Sequence, residues 1–285
     1  MARETTAFRT RAGLKIAADI AGTGARGDVL LAHGAGQTRY SWASTVDRLA
    51  DRGFRAISID LRGHGDSDWS PEGEYQNRRF AEDIADVVAE LGGKPAMIGA
   101  SLGGLASLGL EASLAPGTFS SLTLVDIIPN PNPDGSSRVL GFMGANLEEG
   151  FESLEAASDA IAAYMPHRPR PRDLSGLSKN LRLGEDGRYR WHWDPKFMTG
   201  MRTPLPGIKP IPMEEMDALY RAMDLPVHVI RGRMSELVSE EAALEFVKSL
   251  KHGTFTDVAQ AGHMVAGDRN DAFLEAVVAF LDQHH

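Results

Sequence analysis

The sequence has no cysteine among its 285 residues, which excludes disulfide bonds, thiolate metal sites and a cysteine nucleophile. It also has no apolar run long enough to span a membrane. Its first residues lack the apolar core of a secretory signal peptide. From these absences we expect a cytoplasmic protein with no membrane partner.

Basic residues are also fewer than acidic residues in this chain. Lys and Arg number 30 against 39 Asp and Glu, and the formal net charge is -9 at pH 7. A phosphate backbone is therefore not an expected partner, and we expect no binding of nucleic acid. No Gly-rich phosphate-binding or dinucleotide-binding motif follows a predicted strand, and neither His167 nor His192 has a partner at metal-ligand spacing. We therefore expect neither a cofactor nor a metal.

What is present is an ordinary globular composition with an alternating pattern of strands and helices. Two short alternating segments predict a hairpin of edge strands at 7–10 and 14–20. Apolar runs predict further strands at 28–32, 54–60, 95–98, 121–125, 227–231 and 254–258. Residues at helical spacing predict helices at 42–51, 80–91, 239–250 and 272–281. This order predicts an α/β fold with a mostly parallel central sheet flanked by helices on both faces.

The alternation stops after Asp126. The next stretch has no strong strand signal, a helical pattern at 147–165, and a run of prolines and arginines at 166–172. We interpret residues 129–212 as a helical lid, or cap, inserted into a core domain made of residues 1–128 and 213–285.

The most informative motif is Gly-Ala-Ser-Leu-Gly at positions 99–103, between a predicted strand and a predicted helix. The pattern is typical of a sharp turn that presents a nucleophilic serine, because glycines let strand and helix pass closely. Ser101 then lies at the start of a helix, where the N–H of Leu102 can donate to a developing oxyanion.

A serine nucleophile needs a base, because its hydroxyl hardly ionises near neutral pH. His263 follows the last predicted strand, and a histidine can take the proton and return it to the leaving group. Asp126 and Glu236 also follow strands, so all four side chains are expected at one edge of the sheet. A carboxylate behind the imidazole would fix its tautomer. Alternatively, Asp126 would cap a turn. Glu236 would alternatively lie in the N-terminal region of the following helix, where a negative charge is favourable.

Four motifs together resemble the α/β-hydrolase fold over nearly the whole chain. They are His-Gly-Ala-Gly at 33–36, Asp-Leu-Arg-Gly-His-Gly-Asp-Ser at 60–67, Gly-Ala-Ser-Leu-Gly-Gly at 99–104, and Ala-Gly-His at 261–263. The resemblance is to the subgroup of bacterial esterases, carbon–carbon hydrolases and cofactor-free haloperoxidases. It implies that Ala35 supplies a second oxyanion N–H, that His33 supports its loop, and that the 62–67 turn is scaffold.

The acid departs from the commonest family pattern, which is Gly-x-x-Asp after the strand that follows the lid. Here Ser235 holds that position and Glu236 comes one residue later. The family has a second acid location, at the end of the strand after the nucleophile helix, which Asp126 matches. We favour Asp126 as the triad acid and keep Glu236 as the alternative.

The predicted lid carries candidates for substrate binding. Trp191 and Trp193 would wall an apolar pocket, or else pack within the lid itself. Arg168 would pair with a substrate carboxylate, or else lie in a solvated turn.

The residues favour a serine hydrolase that cleaves small carboxylic esters through an acyl-enzyme. The same apparatus would serve a carbon–carbon or amide hydrolase of a carboxylate-bearing substrate, or a cofactor-free perhydrolase or haloperoxidase. A small-molecule receptor without turnover is the alternative from a different class. The expected partner is a small-molecule ester or acid, and a homodimer is left open.

Overall fold

A computed structural model describes residues 3–166, 173–265 and 270–285. Its strands are β1 Glu4–Arg9, β2 Lys15–Ala21, β3 Asp28–Ala32, β4 Arg55–Ile59, β5 Ala96–Ala100, β6 Ser121–Val125, β7 Leu181–Leu183, β8 Tyr189–Trp191, β9 Val227–Gly232 and β10 Gly253–Val258. Its α-helices are α1 Ala43–Ala50, α2 Asn77–Leu91, α3 Leu102–Gly109, α4 Pro133–Gly144, α5 Leu154–Tyr164, α6 Phe197–Gly200, α7 Met213–Ala222, α8 Glu240–Ser249 and α9 Asn270–His284. The strands and helices predicted for the core agree with these bounds to within a few residues.

Within the described ranges, eight strands form one sheet in the order β1-β2-β4-β3-β5-β6-β9-β10. β1 pairs with β2, and β2 with β4, in antiparallel orientation. All other neighbours in this sheet are parallel. The prediction of a mostly parallel sheet is confirmed, and its parallel strands end at one common edge.

Both faces of the sheet are covered, as continuous apolar strands require. In β3, Leu30 points to a core shared with α2, α3 and α8, and Leu31 points to a core shared with α1 and α9. Side chains alternate in this way because successive residues of a strand face opposite sides. Both leucines are fully buried.

The predicted helix at 147–165 begins later than expected, and this prediction was wrong at its N-terminal end. Asn146 and Gly150 have φ angles of 56° and 68°, which a helix does not accommodate. Phe151 instead pairs with Tyr189 through two backbone hydrogen bonds of 2.7 and 2.8 Å. α5 starts only after Ser153, whose hydroxyl accepts from the N–H of Ala156 and caps the helix.

The segment 129–212 also contains an antiparallel strand pair that the sequence analysis missed. β7 and β8 have three residues each, too few to show a clear alternation of side chains. Phe151, Ala157 and Leu181 form a small buried cluster of their own between this pair and α5. The division into a core and a lid stays a prediction.

None of the helices in the described ranges has both the length and the apolar character that crossing a bilayer demands.

Candidate active site

Ser101 lies on a strained turn between β5 and α3. Its φ angle is 44°, in a region that residues with a side chain rarely adopt. Its N–H donates to the carbonyl of Val125 at 3.1 Å, which ties the turn to the end of β6. The strain is held in place by the close packing of the glycines around it.

Those glycines leave no room for a side chain. A Cβ at Gly103 would lie 2.6 Å from the carbonyl oxygen of Ala32, and one at Gly104 would lie 2.6 Å from Cγ2 of Ile127. The glycines of the motif are therefore required by the close approach of α3 to the sheet.

We expect Gly104→Ala to lower the free energy of unfolding by ~1–3 kcal/mol, because the new methyl group overlaps its neighbours. Gly141→Ala is the matched control, since a Cβ at this position in α4 meets no atom within 4 Å. That change should raise stability by ~0.5–1 kcal/mol through helix propensity. Urea unfolding measures both, and equal effects would contradict the packing argument.

Asp126 and His263 contact each other at the same sheet edge. Nδ1 of His263 lies 2.8 Å from Oδ2 of Asp126. The Asp126 side chain is fully buried, and that of His263 is 21% exposed. This contact gives the imidazole a fixed orientation and favours the tautomer with hydrogen on Nδ1.

Ser235, which stands where the commonest family pattern has an aspartate, completes the surroundings of this carboxylate. Its hydroxyl donates to Oδ2 of Asp126 at 2.6 Å and accepts from the N–H groups of Leu237 and Val238. The N–H of Gly232 donates to Oδ1 at 2.9 Å. The family pattern could have indicated this role, because a residue at the usual acid position faces the same point in space as the side chain of Asp126.

Glu236 lies elsewhere. Its Oε1 accepts from Nη1 of Arg138 in α4 at 2.5 Å, and its side chain is 55% exposed. The one-residue shift past Ser235 turns Glu236 away from His263 and towards the predicted lid.

The two backbone N–H groups suggested for an oxyanion are those of Leu102 and Ala35. Within the described part of the chain, neither N–H donates to any acceptor. Leu102 is the first residue of α3, where an N–H has no partner inside the helix. Both groups are therefore available to an oxygen atom next to Ser101.

His33 and His64 hold the 33–36 loop in place. The N–H of Leu61 donates to Nε2 of His33 at 3.0 Å, and the N–H of Gly36 donates to Nε2 of His64 at 3.1 Å. Both rings are fully buried. The loop that carries Ala35 is thus fastened to the 60–67 turn, in line with a supporting role.

Burial lowers the pKa of His33 to about 4 and the pKa of His64 to about 3. Below the ordinary histidine pKa of ~6.5 the unfolded chain binds protons that the folded protein refuses, so stability falls as the pH falls. Between pH ~7.5 and ~5 we expect each ring to remove about 2 kcal/mol. Urea unfolding at the two pH values tests this, with His64→Gln expected to flatten the dependence; an unchanged slope would contradict it.

A cavity of about 670 Å³ opens beside Ser101 and His263. Ala35 and Glu236 also contribute to its wall, together with side chains from α4 and α5. It is large enough for a small-molecule substrate.

Trp191 and Trp193 both line this cavity, but each is also a packing residue. Trp191 lies edge-on to Phe142 and Phe151, with ring centroids 5.8 and 5.2 Å apart. Trp193 is 2% exposed and belongs to the main core. Their substrate contacts stay a prediction, and Arg168 lies outside the described residues.

No group of three or more His, Cys, Asp or Glu side chains in the described residues is arranged to hold a metal ion. The expectation of no metal and no cofactor stays a prediction.

The chain belongs to the α/β-hydrolase-fold family. The model of that family, described as "alpha/beta hydrolase fold", matches residues 28–269. It is similar to the esterase Rv0045c of Mycobacterium tuberculosis, with 29% identity over 260 residues, covering 89% of this chain and 82% of that protein. It is also similar to the 2-(acetamidomethylene)succinate hydrolase of Mesorhizobium japonicum, with 27% identity over 259 residues and coverage of 89% and 87%.

The fold matches solved structures over almost the full length. An α/β hydrolase of Novosphingobium aromaticivorans superimposes with a TM-score of 0.81 at 24% identity, covering 99% of both chains. The resemblance read from the four motifs is confirmed, and the protein is an enzyme of the hydrolase class.

Proposed function

We propose that this protein hydrolyses small carboxylic esters with Ser101 as nucleophile, His263 as base and Asp126 as acid. The observation that carries the proposal is the 2.8 Å contact of His263 Nδ1 with the buried Asp126, next to a cavity that Ser101 also lines. A carboxylate, an imidazole and a strained serine at one sheet edge form the arrangement that acyl transfer requires.

In the proposed mechanism, Oγ of Ser101 attacks the ester carbonyl carbon while Nε2 of His263 takes its proton. The N–H groups of Leu102 and Ala35 donate to the negatively charged oxygen of the tetrahedral intermediate. Asp126 stabilises the imidazolium, which then returns the proton to the leaving alcohol. Water attacks the acyl-enzyme by the same steps, releasing the acid and restoring the Ser101 hydroxyl.

The relatives support the reaction class. One is named an esterase, and another is named for the hydrolysis of 2-(acetamidomethylene)succinate. Ester cleavage is the leading proposal, and amide cleavage by the same residues is the runner-up that the second name favours.

A panel of p-nitrophenyl esters of graded acyl length, combined with an organophosphate probe, tests the proposal. We expect multiple turnovers and loss of activity when the probe modifies Ser101, identified by peptide mass spectrometry. Stoichiometric labelling without turnover would favour a receptor, and an unmodified Ser101 in folded protein would overturn the proposal.

Ser235 is proposed to position the acid. We expect Ser235→Ala to lower kcat/KM for the best ester ~10-fold to 100-fold, since one hydrogen bond to a buried carboxylate is lost. Ser235→Thr should recover most of this loss by restoring the hydroxyl. Ser249→Ala, which removes a hydroxyl that donates to the carbonyl of Phe246 in its own helix, is the control. Equal rates in Ser235→Ala and wild type would remove Ser235 from the site.

A further inference from the structure

The cavity contains an ion pair that the proposed mechanism does not use. Arg138 and Glu236 both line the cavity, and their side chains meet at 2.5 Å. Among the cavity-lining residues in the described ranges, Arg138 is the single arginine or lysine.

Backbone packing holds this pair in position. The N–H of Asn132, just before α4, donates to the carbonyl of Leu237 at 2.8 Å. Gly135 lies so close to Glu236 that a Cβ there would overlap the Glu236 carbonyl oxygen. Because the first turn of α4 is fixed against the 236–237 backbone, Arg138 one turn later has Glu236 within reach.

The side chains of Arg138 and Glu236 are 52% and 55% exposed, and the described side chains beside them in the cavity wall are apolar and aromatic. Phe142, one turn further along α4, stacks on Tyr164 with ring centroids 4.2 Å apart. Val139, Ile161 and Leu237 line the same region. Among the described cavity residues, Arg138 is the cation that a substrate carboxylate beside this apolar wall would meet, and its guanidinium is already paired with Glu236.

We infer that Glu236 is a specificity-determining residue that makes the cavity accept uncharged acyl groups and reject those bearing a carboxylate. This inference rests on the proposed ester hydrolysis for its substrate class. Glu236 acts by occupying Arg138, so its removal leaves a free guanidinium facing the cavity, which a substrate carboxylate can then bind.

The test compares two p-nitrophenyl esters of the same shape. One carries 5-methylhexanoate and the other carries monoglutarate, in which a carboxylate replaces the terminal isopropyl group. Wild type should favour the neutral ester in kcat/KM by ~10-fold, because Arg138 is paired with Glu236 and compensates little for placing the substrate carboxylate against an apolar wall. Glu236→Gln should reduce this preference ~3-fold to 5-fold by raising kcat/KM for the monoglutarate ester, since the freed guanidinium is partly screened by solvent.

Two further variants show that the change comes from the ion pair. Arg138→Gln in the Glu236→Gln background should abolish the gain, because the freed guanidinium is then absent. Glu240→Gln removes one negative charge at the exposed start of α8 and should leave the preference of wild type unaltered. An equal preference in Glu236→Gln and Glu240→Gln would overturn the inference, as would a wild type that favours the monoglutarate ester.

Binding separates this inference from the proposed reaction. Calorimetric Kd values for both esters are measured with Ser101→Ala and with Ser101→Ala/Glu236→Gln, where no turnover is needed. A shift in the binding preference without any turnover in wild type would sink the ester hydrolase and keep the charge selection. Turnover in wild type, with Glu236→Gln changing neither the kcat/KM ratio nor the Kd ratio of the two esters, would keep the ester hydrolase and overturn the charge selection.

Discussion

Ser101→Ala is expected to reduce kcat for the best p-nitrophenyl ester by at least ~10⁴-fold, because the proposed nucleophile is then removed. His263→Ala should lose a comparable amount, since the hydroxyl is then left without a base. The double variant should be no worse than either single one, because the two groups act as a unit. Initial rates at saturating ester, with circular dichroism to verify folding, give the measurement.

The control for Ser101→Ala is Ser113→Ala, which removes a hydroxyl that donates to the carbonyl of Gly109. It should keep the wild-type kcat. Activity surviving in Ser101→Ala, with the organophosphate probe attached to a different residue, would relocate the nucleophile and invalidate the mechanism.

Asp126→Asn is expected to lower kcat by ~10³–10⁴-fold. The asparagine amide either turns its NH₂ towards Nδ1 of His263, which selects the wrong tautomer, or offers a neutral oxygen that stabilises imidazolium poorly. The substitution keeps the shape of the side chain, so folding should be retained. Initial rates with the neutral ester, with circular dichroism to verify folding, measure the loss.

Glu236→Gln provides the comparison that decides the acid. Its loss of kcat on the neutral ester should be at least ~100-fold smaller than that of Asp126→Asn, since Glu236 contacts Arg138 and not His263. The reverse order of effects would make Glu236 the acid and require the 232–236 loop to move during catalysis.

Much of the fold could be predicted, because it depends on local patterns. Continuous apolar runs marked the parallel strands, and the spacing of Phe80, Ile84, Val87 and Val88 marked α2, where all four are buried. The prediction was weakest in residues 129–212, where short strands and left-handed residues carry little periodic signal. Gly150 interrupts the helix expected at 147–165, Asn146 lies just before it, and no pattern of apolar residues indicates this break.

The candidate site was likewise predictable in part. Ser101, Asp126 and His263 could be placed on one edge from strand order, since parallel strands bring their C-terminal ends together. The choice between Asp126 and Glu236 remained open in the sequence, because a one-residue shift in a loop redirects a side chain in ways that no spacing rule captures. Ser235 contacts Asp126, and Glu236 contacts Arg138. Each pair is distant in the chain and becomes adjacent only after folding.

The sequence by itself determined the fold family and the motif that presents Ser101, because glycine positions and apolar periodicity are local constraints that act on neighbouring residues. Only the tertiary structure decided which carboxylate contacts His263 and which neutralises Arg138. Those pairings depend on the φ angles and packing of loops that meet across the sheet edge, and distances between such loops are set by the whole fold.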